Sequence, residues 1–254
     1  MNKPSGPPRG YGRAPLTPLN LDSQIAREGL LGDVEWACAR WKALAAEARR
    51  PLRLLDLGCG SQPYRALIEE AGLEYYGADW PRSIHPCDPA RTAQCDLSQA
   101  AWPFEDSSFD AILCTEVLEH IPDPHAFLAE CRRVARPGAE LLLTAPLLWP
   151  EHETPFDYFR YTRHGLQSLL RRSRWEILDI RPRGGWHASF AQMLGLWATY
   201  GFKKPWSYLA RLAAWPLAAL LRRLDRPAPM PGTQGSKHLP MALGYTALAR
   251  RPAE

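Results

Sequence analysis

The stretch Leu54-Leu55-Asp56-Leu57-Gly58-Cys59-Gly60 constrains the fold more than any other part of the chain. The apolar run over residues 52–57, broken by one acid, reads as a buried strand of a parallel sheet. Gly58 and Gly60 permit a tight turn in which the main chain approaches a ligand closely. Pro63 suits the first turn of the next helix, where its missing N–H costs nothing. Strand, glycine turn and helix together place a ligand at the carboxyl edge of an open α/β sheet.

Two phosphate-binding readings fit this turn poorly. A dinucleotide fingerprint needs Gly-x-Gly-x-x-Gly, and Pro63 stands at the third glycine position. A Walker loop needs Gly-Lys-Ser/Thr, which is absent. Asp56, just before the turn, repels a pyrophosphate and attracts a cation. Asp56-Leu57-Gly58-Cys59-Gly60 instead resembles the first motif of class I S-adenosylmethionine-dependent methyltransferases, in which the turn packs on the amino-acid part of the cofactor. Further on, Thr115-Glu116-Val117-Leu118-Glu119-His120-Ile121-Pro122-Asp123 closely resembles the fourth-motif region of small-molecule methyltransferases related to the ubiquinone and menaquinone biosynthesis enzymes. The match to the class I core runs over residues 52–146.

Helical spacing of Ile25, Leu30, Val34, Ala37, Trp41 and Leu44 predicts one or two helices over residues 22–50, either covering the core or forming a lid. A helix over 63–70 leads to a second strand over 73–78, which Asp79 ends. This acid lies about 20 residues past the turn, where βαβ folds place a carboxylate for ribose hydroxyls. Trp80 follows, placed to stack on adenine. The loop over 81–89 carries Arg82 and His85, and His85 reads as a loop residue rather than a ligand. The third strand, 92–95, ends at Cys95-Asp96-Leu97. The resemblance implies that Asp96 binds the adenine amino group, that Leu97 covers the ring, and that Cys59, Tyr64, Thr115 and Glu116 line the cofactor site. Strand four spans 109–114 and a helix 124–135. Arg136-Pro137-Gly138 makes a turn before strand five at 139–145. Thr162 caps a helix through 170, followed by strands at 175–180 and 243–249. The family implies a Rossmann-like seven-stranded sheet of order 3-2-1-4-5-7-6, strand 7 antiparallel, with helices on both faces.

At 254 residues the chain makes one domain over 21–254, behind a Pro-, Gly- and Arg-rich tail over 1–20 that is disordered or hugs the surface. That tail has no apolar segment of the signal-peptide type, and no run of about 18 apolar residues occurs to span a bilayer. A net charge of +4 permits an anionic partner without demanding one, and no nucleic-acid module or basic stripe is evident. None of the six cysteines forms a Cys-x-x-Cys pair, so no metal is expected, and the thiols read as reduced ones of a cytoplasmic protein. Residues 186–224 form a helical insertion rich in Trp and Leu and flanked by Lys203, Lys204, Arg211, Arg222 and Arg223. It covers the domain or a second subunit, or it lies in the inner face of a membrane. A proline-rich linker over 226–237 follows.

A nucleobase amino-methyltransferase shows Asn or Asp, Pro-Pro and an aromatic after strand four, whereas this chain has Thr115-Glu116-Val117-Leu118. The block over 151–162 bears a looser resemblance to methyltransferases of bacterial glycan and lipid biosynthesis. The acceptor is then a small molecule: the oxygen of a sugar, glycan or lipid-linked precursor. Residues after strands four and five line the acceptor pocket in this fold, which makes His120 and His152 candidate general bases. His152 lies beside Glu151, Glu153 and Asp157, and a carboxylate partner would orient its ring; Asp157 is the next candidate base. Alternatively the enzyme needs no base, and Asp157 pairs with Arg160 in a structural block. A catalytically inactive scaffold and a dehydrogenase are the rival readings.

Overall fold

The computed structural model describes residues 11–81, 88, 90–225 and 241–253. Helix α1 (Gln24–Ala48) precedes β1 (Arg53–Leu57), α2 (Arg65–Glu70), β2 (Glu74–Asp79), β3 (Thr92–Gln94) and β4 (Phe109–Thr115). A single 3-10 turn, Leu118–His120, leads into α3 (Pro124–Val134), β5 (Ala135–Pro146), α4 (Arg163–Arg172) and β6 (Glu176–Arg183). The helices α5 (Trp186–Tyr200) and α6 (Trp206–Leu224) come before β7 (Gly244–Arg250). The strands form one sheet in the order β3-β2-β1-β4-β5-β7-β6. Strand β7 is antiparallel to both its neighbours, and the remaining pairings are parallel.

The alternation of β1 divides the core. Leu54 faces a cluster containing Trp41 of α1 and Ile68 of α2. Leu55 and Leu57 face the other side, with Phe127 and Leu128 of α3. Trp41 is fully buried, and truncating so large a core side chain costs roughly 3–5 kcal/mol. Helix α1 is therefore a core-covering element and not a lid. Two caps fix helix starts after the strands. The Asp123 carboxylate accepts from the His125 and Ala126 amides at 3.1 and 3.0 Å, with Pro124 in the first turn. Thr162 Oγ1 accepts from the Gly165 amide at 3.1 Å, as its sequence position predicts.

Two expectations change in their bounds. Helix α2 begins at Arg65, because Gln62 to Tyr64 form the closing part of the glycine turn. Strand β5 starts at Ala135, earlier than expected, but its ladder to β4 breaks between Ala135 and Glu140 and Gly138 takes φ of +81°, so the turn chemistry of Arg136-Pro137-Gly138 shows as a bulge within the strand. Residues 11–20 take the surface-hugging course of the two expected for the tail: Leu16, and Leu21 just beyond them, are buried, and Trp215 Nε1 donates to the Leu16 carbonyl at 2.8 Å. Gly195 makes that packing possible, since a Cβ there would lie 2.1 Å from the Leu21 carbonyl oxygen. Expectations for residues 1–10, Arg82, His85, Cys87 and the linker 226–237 lie outside the described residues.

Candidate active site

The glycine turn closes over the end of β2. The Gly58 and Cys59 amides both donate to the Ala78 carbonyl, at 2.8 and 3.1 Å. Gly58 and Gly60 take φ of +67° and +48°, the region that favours glycine. A Cβ on Gly58 would sit 2.3 Å from Val117 Cγ2, so the missing side chain lets the segment after β4 press against the turn. Cys59 is buried, its thiol pushed up by burial and held 3.9 Å from Thr92 Oγ1. Tyr64 is buried beneath the turn, 5.5 Å from the ring of Tyr11.

Three carboxylates mark this edge. Asp79 Oδ2 accepts from the Gly60 amide and Oδ1 from the Trp80 amide, both at 2.7 Å. Each oxygen keeps a further lone pair for a hydroxyl donor. Asp56 is fully buried and accepts from the Tyr75 hydroxyl at 2.8 Å. Burial pushes its pKa up to about 7, the neighbouring Asp79 adds to the rise, and the Tyr75 bond opposes it. Asp96 lies one strand over; its Oδ1 accepts from the Ser98 amide at 3.0 Å and hydroxyl at 2.7 Å, and Leu97 beside it is buried. The Cys95 amide donates to the Asp79 carbonyl at 2.8 Å, which ties the ends of β2 and β3 together. Glycine cradle, strand-end acid and neighbouring acid form an edge that fits an adenosyl cofactor carrying an amino-acid tail.

After β4 the chain enters the left-handed region at Glu116, φ +53°. The Glu116 amide donates to Thr144 Oγ1 at 3.0 Å, and that hydroxyl donates back to Glu116 Oε1 at 2.8 Å. Thr115 pairs in register with Thr144 of β5. Buried Arg183, from β6, completes the Glu116 pairing at 2.9 Å. Arg183 also lines a cavity of about 440 Å³ with Ile25, Ala188, Arg222 and Leu243. Arg183 was not legible as a site residue: it sits at the end of a strand far from any motif.

The two candidate bases come together. The His120 and His152 rings meet edge to face, their centroids 4.7 Å apart. His120 Nδ1 lies 2.7 Å from the Phe156 carbonyl, which only accepts, so Nδ1 carries the proton and Nε2 the lone pair. His152 Nδ1 lies 3.2 Å from Asp157 Oδ2 and 3.3 Å from the Pro150 carbonyl, which sets the same tautomer. Asp157 also pairs with both terminal nitrogens of Arg160, at 2.6 and 2.7 Å. Those bonds hold its carboxyl well below the usual range. Asp157 thus stands between the His152 Nδ1 and the Arg160 guanidinium. Below both rings lies Glu119, fully buried, whose pKa burial drives well up. Glu119 stands inside the stretch Thr115-Glu116-Val117-Leu118-Glu119-His120, where its charge predicts exposure. Phe156 links this cluster to the cofactor edge, its ring centroid 5.4 Å from that of Trp80. Trp80 is 37% exposed beside Asp79.

Comparison with known proteins places this geometry. The family described as "Methyltransferase domain" matches residues 32–204, more than half of the chain. A ubiquinone biosynthesis O-methyltransferase from Hahella chejuensis is 36% identical over 104 residues, covering 36% of this chain and 42% of that enzyme. The chain thus spans well under two thirds of that relative. A methyltransferase of uncharacterised activity from Mycolicibacterium paratuberculosis is 30% identical over 186 residues, covering 66% of this chain and 72% of the relative. Among solved structures, a candidate sarcosine dimethylglycine methyltransferase from Galdieria sulphuraria superposes with a TM-score of 0.50 at 15% identity, covering 87% of this chain and 86% of the other, which speaks to the fold alone. With the motif edge, the strand order and the family match in agreement, the chain belongs to the methyltransferase domain family, as a class I S-adenosylmethionine-dependent methyltransferase.

Proposed function

We propose that the chain methylates an oxygen of a small-molecule acceptor, a sugar, glycan or lipid-linked precursor, at the place where His120 and His152 meet. The observation that carries this reading is the pair of Nε2 lone pairs beside the cofactor edge, each fixed by an acceptor behind Nδ1. S-adenosylmethionine supplies an electrophilic methyl on a sulfonium, whose thioether leaves neutral. The protein's share is alignment and proton removal. As the acceptor oxygen bonds to the methyl, its proton passes to His152 Nε2, and Asp157 steadies the resulting imidazolium. His120 is the alternative base. The name of the Hahella enzyme, an O-methyltransferase, supports an oxygen acceptor. Incubation with methyl-labelled cofactor and fractionated bacterial extract tests the reading. Label in a sugar- or lipid-containing product supports it, and label confined to protein or nucleic acid refutes the acceptor class. An inactive scaffold would bind no cofactor.

A second reading concerns where the chain works. Helices α5 and α6 pack on each other through Ala191, Ala198, Ala214 and Ala218. Their outer faces leave Trp186, Phe190, Trp197, Trp206, Leu212 and Leu220 more than half exposed. Lys203, Lys204 and Arg223 flank that surface. No helix among the described residues is long and apolar enough to cross a membrane. An aromatic and leucine face ringed by cations suits the anionic inner face of a bilayer, where a lipid-linked acceptor would lie. Sedimentation with anionic liposomes, with light scattering in their absence, separates this from a dimer interface. A monomer that stays in the supernatant overturns both.

A further inference from the structure

We propose that Glu119, His120 and His152 form a binding site for one divalent transition-metal ion of the zinc type. The ligating atoms of the three residues lie within 4.8 Å of one another. Glu119 contributes a carboxylate that is 1% exposed. Neither of its oxygens has a hydrogen-bond partner in another residue. A bare carboxylate in such surroundings costs several kcal/mol unless a cation or a proton meets it. The groups facing it are the two imidazole Nε2 atoms, at 3.8 Å for His120 and 4.0 Å for His152. Those separations are too long for hydrogen bonds. The nearby arginines are engaged elsewhere, Arg160 with Asp157 and Arg183 with Glu116.

The outer contacts match what a metal-binding histidine needs. Each Nδ1 faces a fixed acceptor: the Phe156 carbonyl for His120, the Asp157 carboxylate for His152. A carboxylate or carbonyl behind a ligating imidazole fixes its tautomer and raises its basicity. Two histidines and one glutamate are a zinc donor set that leaves a coordination position open. Glu119 closes the inner side, while the His120 and His152 side chains are 17% and 30% exposed, so the open position faces the acceptor side. Ligands around tetrahedral zinc sit about 3.3 Å apart, so the set contracts by roughly an ångström when filled. Both histidines lie on short turns or loops that permit such a shift. Cysteine spacing carries no information about this site, since none of its ligands is a thiol.

The consequence for catalysis rests on the proposed oxygen acceptor: with an ion bound, both Nε2 lone pairs are engaged, so His120 and His152 would act as ligands in place of the base, and the ion would instead acidify an acceptor hydroxyl at its open position. Ion binding itself does not rest on it. The test is titration of tag-free, chelator-stripped protein with Co²⁺, followed by its visible d–d absorption, with Zn²⁺ as competitor. One cobalt per chain, displaced by zinc and bound at least 100-fold more weakly by Glu119→Gln and by His120→Ala/His152→Ala, is the expected result. His152→Ala alone serves if Glu119→Gln perturbs the fold, because that ring is partly exposed. Absence of stoichiometric binding, equal binding by the variants, or intense sulfur-to-cobalt charge-transfer absorption overturns the site. Calorimetry of the same stripped protein with S-adenosylmethionine reads the cofactor edge separately, so failure of the methyltransferase reading and failure of the metal site are distinguishable.

Discussion

Replacing Asp56 by asparagine should remove the pH dependence that this one side chain imposes on stability. Asp56 lies on β1 with 1% of its surface exposed, and its pKa rises from the usual 3.8 to about 7. Between those values the folded protein holds a proton that the unfolded chain has released. Stability contributed by the protonated group is therefore lost as pH rises from about 4 to about 7 and stays lost above. The part of this window between pH 5.5 and 8.5 covers about 1.5 pH units, worth on the order of 2 kcal/mol. Asparagine has nearly the same shape, carries no charge, and keeps an oxygen to accept from Tyr75. Urea unfolding at pH 5.5 and 8.5 should show the variant gaining on the wild type by about that amount at the higher pH. Other carboxylates titrate equally in both proteins and cancel. A wild-type-to-variant difference that stays constant over the range refutes the claim that a buried, half-ionised acid sits under the glycine turn. A bound cofactor cation favours the ionised form, so wild-type affinity for S-adenosylmethionine should rise from pH 6 to 8 and the variant's should not.

Asp79→Ala should weaken S-adenosylmethionine binding by about 2 kcal/mol or more, roughly 30-fold, in calorimetry. Because Asp79 also holds the Gly60 and Trp80 amides, the same variant should melt earlier, whereas Asp79→Asn, which retains an acceptor, should lose affinity with a smaller loss of stability. Unchanged cofactor affinity in the alanine variant counts against the ribose assignment. Asp110 is depressed to about 2, burial being outweighed by bonds from Arg50, the Arg53 amide and Arg136. Its stabilisation is present above about pH 4 and lost as pH falls toward 2, so Asp110→Asn should cost on the order of 2 kcal/mol at neutral pH and flatten the acid limb of a denaturation profile. His152→Ala should bind cofactor normally and lose roughly 100-fold in turnover once an acceptor is in hand; full turnover on both sides of neutral pH would exclude it.

Most of the sheet was legible because its strands are short apolar runs bounded by Gly, Pro and acids, and the family motif fixed their order. Asp79 was placed by spacing alone, yet its burial was not foreseen: a strand-end acid reads as solvated until the Gly60 and Trp80 amides are seen to converge on it. The start of β5 was legible in part: Arg136-Pro137-Gly138 keeps its turn chemistry as a bulge, with Gly138 at φ +81°, while the single pair of Ala135 with Phe109 extends the strand ahead of it. A Pro-rich composition left residues 11–20 either disordered or surface-hugging, and the choice rests on single anchors, Leu16 and the adjoining Leu21, held by distant helices. Glu119 escaped notice for a related reason. Its charge predicts exposure, and only the fold brings His152, 33 residues away by sequence numbering, over a carboxylate that the 3-10 turn drives inward. The insertion over 186–224 was legible as helical and amphipathic, and the structure divides it into two helices.

The most direct test of the central claim is a calorimetric titration of the purified chain with S-adenosylmethionine, with NADH titrated in parallel. The account predicts one saturable site per chain for S-adenosylmethionine, competed by S-adenosylhomocysteine, and no heat of binding with NADH. No binding of S-adenosylmethionine, or saturable binding of NADH at the same edge, would contradict it.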